Sequence, residues 1–207
     1  MDNKSTNKKE AILEAAEKLF MTRGFAGTKT MAVAAEAGVT HAMLHYYFKT
    51  KKQLFEHVLV TKVHQMMNEL ITSFSNSDLP IKERIALGVE RHFDLIAKSP
   101  DLPRFVVNEV FNNPDALPVF MKCYREMIDA LKDTFLVDLQ EAIAKKEIQP
   151  IMPEQLLLTV FSLNATLFMA KPVLTEMLSG TGVDFFTFLI MRRHENVRMI
   201  MNRLNYE

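Results

Sequence analysis

Residues 28–52, TKTMAVAAEAGVTHAMLHYYFKTKK, constrain the fold more than any other stretch, because a glycine divides two short helical patterns and an aromatic, basic edge follows. The first pattern has a narrow apolar face of small residues, Val33, Ala34 and Ala37, which lets a second helix approach closely. Thr28 is expected to cap this helix, and Gly38 to supply the left-handed turn that ends it. Val39 then fills the gap between the helices, Thr40 caps the second one, and Leu44 and Phe48 return to the core. Two short helices held at an angle by such contacts form a helix-turn-helix, which presents its second helix to a DNA groove. The residues left pointing outward are His41, Ala42, Met43, His45, Tyr46 and Tyr47, the candidates for base and phosphate contact.

Around that motif stand Gly24-Phe25, Thr28-Lys29, Ala34, Ala37-Gly38-Val39-Thr40, Leu44-His45-Tyr46-Tyr47-Phe48 and Lys51. In order and spacing, across roughly the first 55 residues, the chain resembles the N-terminal domain of TetR-family transcriptional regulators. Two positions depart from the family pattern. Ala42 stands where the family usually has Gly, a small-for-small exchange that still admits a base edge, and His45 stands where it usually has Tyr, so an operator sequence does not carry over. The resemblance implies a homodimeric, sequence-specific DNA-binding regulator, a repressor released by a small-molecule effector. Lys29, Tyr47 and Lys51 are then expected on phosphates, and Thr28 and Thr40 offer hydroxyl or backbone N–H contacts at helix starts. His41, Ala42, Met43, His45 and Tyr46 face the major groove.

Charge supports this division. The whole chain is neutral, with 25 basic and 25 acidic residues, but residues 1–55 carry nine Lys/Arg against five Asp/Glu and the remainder 16 against 20. The half that contains the motif therefore holds the positive excess that attracts a phosphate backbone.

Helical periodicity runs nearly throughout, with six glycines in 207 residues and no alternating strand pattern of useful length, so an all-α fold of about nine helices is expected. The first helix spans residues 6–23, with Asn7 and Glu10 at capping-box spacing, and ends at Gly24. Thr50 and Gln53 repeat that spacing and open a long connector, 50–74, after the motif. Pro80, Pro103 and Pro118 stand near the starts of helices over 80–98, 103–112 and 118–146; two more cover 153–179, with a kink at Pro172, and 183–204. The domains are drawn as 1–52, a helix-turn-helix DNA-binding domain, and 53–207, a larger helical effector-binding and dimerisation domain.

The second domain is rich in adaptable and aromatic side chains, Phe111, Phe120 and Phe135 among them. In the family such a domain holds the effector. The residues expected to line the pocket are Phe93, Phe105, Tyr124, Met127, Phe161 and Phe168, with Asn108, Glu109 and Asn164 as polar groups on apolar faces beside Tyr124. Thioether and aromatic groups repack around different shapes, which favours a hydrophobic or amphipathic effector. The last two helices carry surplus apolar residues, namely Leu156, Leu157, Val160, Phe161, Leu167 and Phe168, then Phe185, Phe186, Phe188, Leu189 and Ile190. The resemblance implies that they pair with a second copy, the two-fold arrangement a palindromic operator needs.

No enzyme motif is present: there is no GxSxG, no glycine-rich phosphate loop and no HExxH. His41 and His45 have zinc-compatible spacing but no third ligand nearby, and Cys123 reads as a buried structural thiol, so neither metal nor cofactor is expected. The single cysteine, the absence of an apolar signal core in MDNKSTNKKE and the polar interruptions Thr159, Ser162, Asn164, Lys171 and Pro172 in the apolar stretch 155–174 point to a cytoplasmic protein without a membrane span. Two alternatives share the motif: a nucleoid-associated protein without effector control, and a ligand-sequestering protein whose motif no longer reads sequence.

Overall fold

The computed structural model describes residues 3–206, apart from the side chains of residues 3–6 and of Phe111. Among the described residues it is all-α, with eleven helices: α1 (Asn3–Gly27), α2 (Thr30–Glu36), α3 (His41–Tyr47), α4 (Lys51–Phe74), α5 (Ile81–Lys98), α6 (Leu102–Asn112), α7 (Ala116–Leu131), α8 (Phe135–Ala144), α9 (Pro153–Met169), α10 (Lys171–Leu178) and α11 (Phe185–Leu204).

The expected count of nine is corrected by two breaks. The helix expected over 118–146 divides into α7 and α8 at residues 132–134, where Asp133 and Thr134, weak helix formers, interrupt the ladder. The Thr134 hydroxyl donates to the carbonyl of Leu131 at 3.4 Å, a local bond that competes with continuing the helix. The helix expected over 153–179 divides at Ala170, and α9 and α10 meet at a 69° bend. Pro172 sits in the first turn of α10, where its missing N–H costs nothing, so the proline starts a new helix as well as kinking the old one. The start of the first helix also moves: α1 begins at Asn3, so Asn7 lies inside it and not at its cap.

The chain forms two compact units, residues 1–64 with 104–123, and residues 65–103 with 124–207. This grouping places α6 and the first part of α7 with the N-terminal helices, whereas the boundary at 52/53 follows the end of the motif.

In the first unit, Ile12, Ala16, Leu19 and Phe20 of α1 meet Val33 and Ala34 of α2, Leu44 of α3, and Leu54 and Phe55 of α4, all buried. The rings of Phe20 and Phe25 pack against Phe55 with centroids 5.2 and 4.9 Å away. Helices of seven residues such as α2 and α3 do not persist alone in water, so this core is what keeps the motif folded. Removing the Leu44 side chain is expected to cost about 2–5 kcal/mol for that reason.

In the second unit, α5 buries Ile85, Val89, Phe93 and Ile96 along one stripe, α9 buries Leu156, Val160 and Asn164, and α11 buries Asn196, Ile200 and Leu204. Two asparagines thus interrupt otherwise apolar stripes. Arg84 is also buried; its Nε donates to the Phe74 carbonyl at 2.6 Å and its Nη1 to Asp138 at 2.5 Å, while the guanidinium lies over the Phe135 ring. Among the described residues no single helix is long and apolar enough to cross a membrane.

Candidate nucleic-acid interface

The turn between α2 and α3 is built as the sequence implies. Gly38 has φ +63°, the left-handed region, and Val39, half-buried, donates its N–H to the Ala34 carbonyl at 3.0 Å. Thr40 caps α3, its hydroxyl accepting from the Met43 N–H at 3.2 Å, and Thr50 likewise accepts from Gln53 N–H at 3.1 Å at the start of α4. Thr28 is different. It does not cap α2, whose N-cap is Lys29 without a side-chain bond; it is 1 % exposed, and its hydroxyl donates to the carbonyls of Leu19 and Gly24 at 3.1 and 2.8 Å. The reason is the kink at Gly24, φ +68° and ψ 178°, which leaves the Gly24 carbonyl outside the regular ladder and in need of a donor. The Thr28 hydroxyl is therefore turned inward, away from any phosphate.

With Leu44 buried beneath it, α3 leaves His41, Ala42, His45 and Tyr46 exposed, with Met43 and Tyr47 half-buried beside them. Tyr46 is 72 % exposed and crosses the Tyr47 ring at 5.2 Å, and the Lys49 ammonium lies 5.6 Å from the Tyr46 centroid. Lys29 is exposed just before α2; the Lys51 ammonium lies 4.3 Å above the Phe25 ring. His41 and His45 stand edge to face with centroids 4.4 Å apart, His41 Nε2 meets the Thr30 hydroxyl at 3.0 Å, and His45 Nδ1 meets the Lys49 carbonyl at 3.3 Å. Sequence reasoning missed Thr30 and Lys49 as supports of this face; the Thr30 contact depends on the angle between α2 and α3, which no spacing rule encodes, whereas Lys49 stands four residues after His45, at a spacing that could have found it. The Lys18 ammonium bonds Glu36 at the end of α2 and holds its carboxyl below the ordinary carboxylate value.

The residues expected to bind an effector divide between the two units. Phe105, Asn108 and Glu109 of α6 belong to the first, where with residues 20–24 and Arg104 they line a cleft of about 320 Å³. The buried Glu109 carboxylate accepts from the Phe25 N–H at 2.8 Å, and Asp115 pairs with Lys52 at 2.7 Å, raising the Lys52 pKa chiefly through that bond. Glu109 therefore clasps the backbone behind the helix-turn-helix.

In the second unit Phe93 and Phe168 pack ring to ring at 5.5 Å in a cluster with Ile96, Ala165 and Leu167, and Phe161 lies against it. Met127 is buried, and Tyr124 is half-buried, its hydroxyl pKa raised by burial and then by the charge of Glu154. Asn164 is fully buried; its amide donates to the Val89 carbonyl at 2.9 Å and to His92 Nδ1 at 3.1 Å, and its oxygen accepts from Asn196 at 2.9 Å. All its hydrogen-bonding capacity on the amide side is used within the core. Burial alone pushes the His92 pKa down to about 4. A separate cleft of about 290 Å³ between α9 and α11, lined by Leu156, Thr159, Leu163, Met199 and Arg203 among others, contains none of the nine expected effector residues.

Of the apolar surplus on the last helices, Leu156, Val160, Leu167 and Phe168 are buried in the unit's own core, Leu157, Phe161, Phe185, Phe188 and Leu189 are half-buried, and Phe186 and Ile190 are exposed. Leu158, Val173, Met177 and Met191 add to the exposed apolar surface of α9, α10 and α11.

The family model described as bacterial regulatory proteins, tetR family, matches residues 12–58, which run from α1 through both helices of the motif into α4. The segment that holds the helix-turn-helix is thus of the TetR-family type. Over 119 residues the chain is 31 % identical to the probable HTH-type transcriptional regulator YttP of Bacillus subtilis, covering 56 % of each chain. Over 105 residues it is 28 % identical to the nucleoid occlusion factor SlmA of Photobacterium profundum, covering 50 % of this chain and 53 % of that one. The matches span little more than half the length of these relatives. The fold is shared with the transcriptional regulator FadR of Bacillus subtilis, solved in complex with stearoyl-CoA, at a TM-score of 0.60 and 18 % identity over 91 % of this chain and 97 % of that one.

Proposed function

We propose that the protein is a homodimeric, sequence-specific DNA-binding transcriptional repressor, released from a palindromic operator by a small hydrophobic or amphipathic effector. The observation that carries this reading is α3: a capped helix anchored by one buried leucine, with His41, Ala42, His45 and Tyr46 exposed in one continuous row. Such a row fits base edges in the major groove. Lys29, Tyr47 and Lys51 would then hold phosphates, with the Thr40 backbone at the helix start and Met43 at the groove wall. The exposed apolar residues of α9, α10 and α11, Phe186 and Ile190 foremost, supply a self-complementary surface for a second copy, which sets two α3 helices about 34 Å apart on successive major grooves.

The effector class follows from the aromatic cluster around Phe93, Phe161 and Phe168, with Tyr124 and Met127 in the same unit, and the FadR relative's stearoyl-CoA points the same way. An effector that favours a domain arrangement with mismatched α3 spacing would release the DNA. Glu109 and Asp115, which grip the N-terminal helices, are the contacts through which α6 and the start of α7 would carry that change.

The test is sedimentation of the protein with a fluorescent duplex from upstream of its own gene, with and without stearoyl-CoA. Two protomers per duplex, and dissociation on adding the acyl-CoA, are expected. One protomer per duplex would overturn the dimer. The SlmA relative supports a second reading, a nucleoid-associated DNA-binding protein without effector control, and its signature would be binding at many sites that no acyl ligand disturbs.

A further inference from the structure

The cleft of about 290 Å³ between the start of α9 and the end of α11 is one-sided in composition. Leu156, Ile200 and Leu204 form a buried apolar floor, with Leu163 and Met199 beside it, and the Thr159 hydroxyl is spent on the Gln155 carbonyl at 2.7 Å. Arg203 borders this cleft and also lines a more open recess of about 500 Å³, whose other residues are Gln149, Asn202, Asn205 and Tyr206. Among the described residues no acidic side chain lines either one. Their shared rim is held by the chain itself. The Gln149 N–H donates to the Leu204 carbonyl at 2.7 Å and Arg203 Nη2 to the Pro150 carbonyl at 2.9 Å, which ties the loop before α9 to the end of α11.

What the polar recess offers is donors. Arg203 makes that one hydrogen bond, so most of its guanidinium N–H groups remain for a partner. Asn205 Oδ1 accepts from Lys82 Nζ at 2.8 Å; an ammonium only donates, so the oxygen is fixed there and the amide N–H groups are what Asn205 has left. An apolar slot whose neighbour presents a cation and amide donors, with no acid, complements a hydrocarbon that carries an anion. Its volume lies near the small end of ligand pockets, roughly 300–1,000 Å³, which suits a short chain. We propose that the two recesses together bind an amphipathic anion: a short alkyl or acyl segment occupies the α9–α11 cleft, and its carboxylate or phosphate meets Arg203 in the polar recess. This site is separate from the aromatic cluster of Phe93, Phe161 and Phe168, none of which lines either recess. It lies at the opposite end of α11 from Phe186 and Ile190, and neither residue lines it, so it does not draw on the surface proposed for a second copy. Nor does it depend on the DNA-binding reading.

The experiment is calorimetric titration of the full chain, without DNA, by octanoate, octyl phosphate, octyl glucoside and inorganic phosphate, repeated on Arg203→Met and Thr159→Phe. The wild type is expected to bind the two octyl anions at least about tenfold more tightly than the neutral glucoside, and octyl phosphate at least about tenfold more tightly than phosphate without a chain. Arg203→Met brings the anions down to the level of the glucoside and leaves the glucoside unchanged. Thr159→Phe, which puts a ring into the cleft, weakens all three octyl ligands. Arg203 is exposed, so its variant carries the test should Thr159→Phe fail to fold. Octyl phosphate, with more acceptor oxygens, is expected to be the tighter of the two anions; binding of one anion alone identifies the head group and supports the site. Equal affinity for charged and neutral octyl ligands, anion affinity that survives Arg203→Met, or no binding by any octyl ligand overturns the proposal.

Discussion

In the N-terminal unit His41 and His45 stand exposed on α3, whereas in the C-terminal unit His92 is buried, bonded to Asn164 and held neutral by desolvation. The same residue type is spent in opposite ways. On α3 polar groups rest on a single buried leucine and remain available to a partner; among α5, α9 and α11 they are used up by one another, Asn164 joining His92, Val89 and Asn196. Substitution should therefore separate stability from recognition along this line.

The largest effect is expected from Asn164→Ala. It leaves His92 Nδ1, the Val89 carbonyl and the Asn196 amide short of partners in the core, a loss of about 3 kcal/mol or more in urea unfolding. A loss under 1 kcal/mol would mean that the buried network is not what ties these helices together. Acid comes next. Because the His92 pKa falls from 6.5 to about 4 on folding, the unfolded chain binds the proton more readily between those values. Stability is then full above about pH 6.5 and declines as pH falls toward 4, by up to about 3 kcal/mol, levelling below that. His92→Leu should flatten this part of the urea-unfolding profile; an unchanged slope would place the acid sensitivity elsewhere.

On the other side of the comparison, Tyr46→Ala should leave the melting temperature within about a degree or two, since the ring is 72 % exposed, yet weaken specific binding by roughly 5- to 100-fold and nonspecific binding far less. The smallest effect belongs to Lys51→Ala, which should weaken specific and nonspecific binding alike and lower the salt slope by about one. Equal losses for both DNAs in Tyr46→Ala would erase the distinction between reading and positioning residues.

Local chemistry was legible in the sequence and angular chemistry was not. Gly38, the Thr40 cap and the Thr50–Gln53 pair each depend on neighbours within four residues, and each stands where the pattern placed it. Thr28 was misread because the carbonyl that claims its hydroxyl is exposed only by the Gly24 kink. The breaks at residues 132–134 and at Ala170 went unread as helix ends because apolar periodicity continues across both. Asn164 looked like a polar group awaiting a ligand; its partners His92 and Asn196 lie 72 and 32 residues away and are brought to it only by packing. Thr30 reaches His41 across the turn, eleven residues away, and carries no signal of its own.

The most direct test of the central claim, that α3 reads DNA sequence, is fluorescence anisotropy with a duplex enriched by the protein from a random pool and a shuffled control, at two salt concentrations. The account predicts a preference for the enriched duplex that survives at the higher salt, with affinity for the shuffled duplex collapsing. Equal binding to both duplexes, lost together as salt rises, would contradict it.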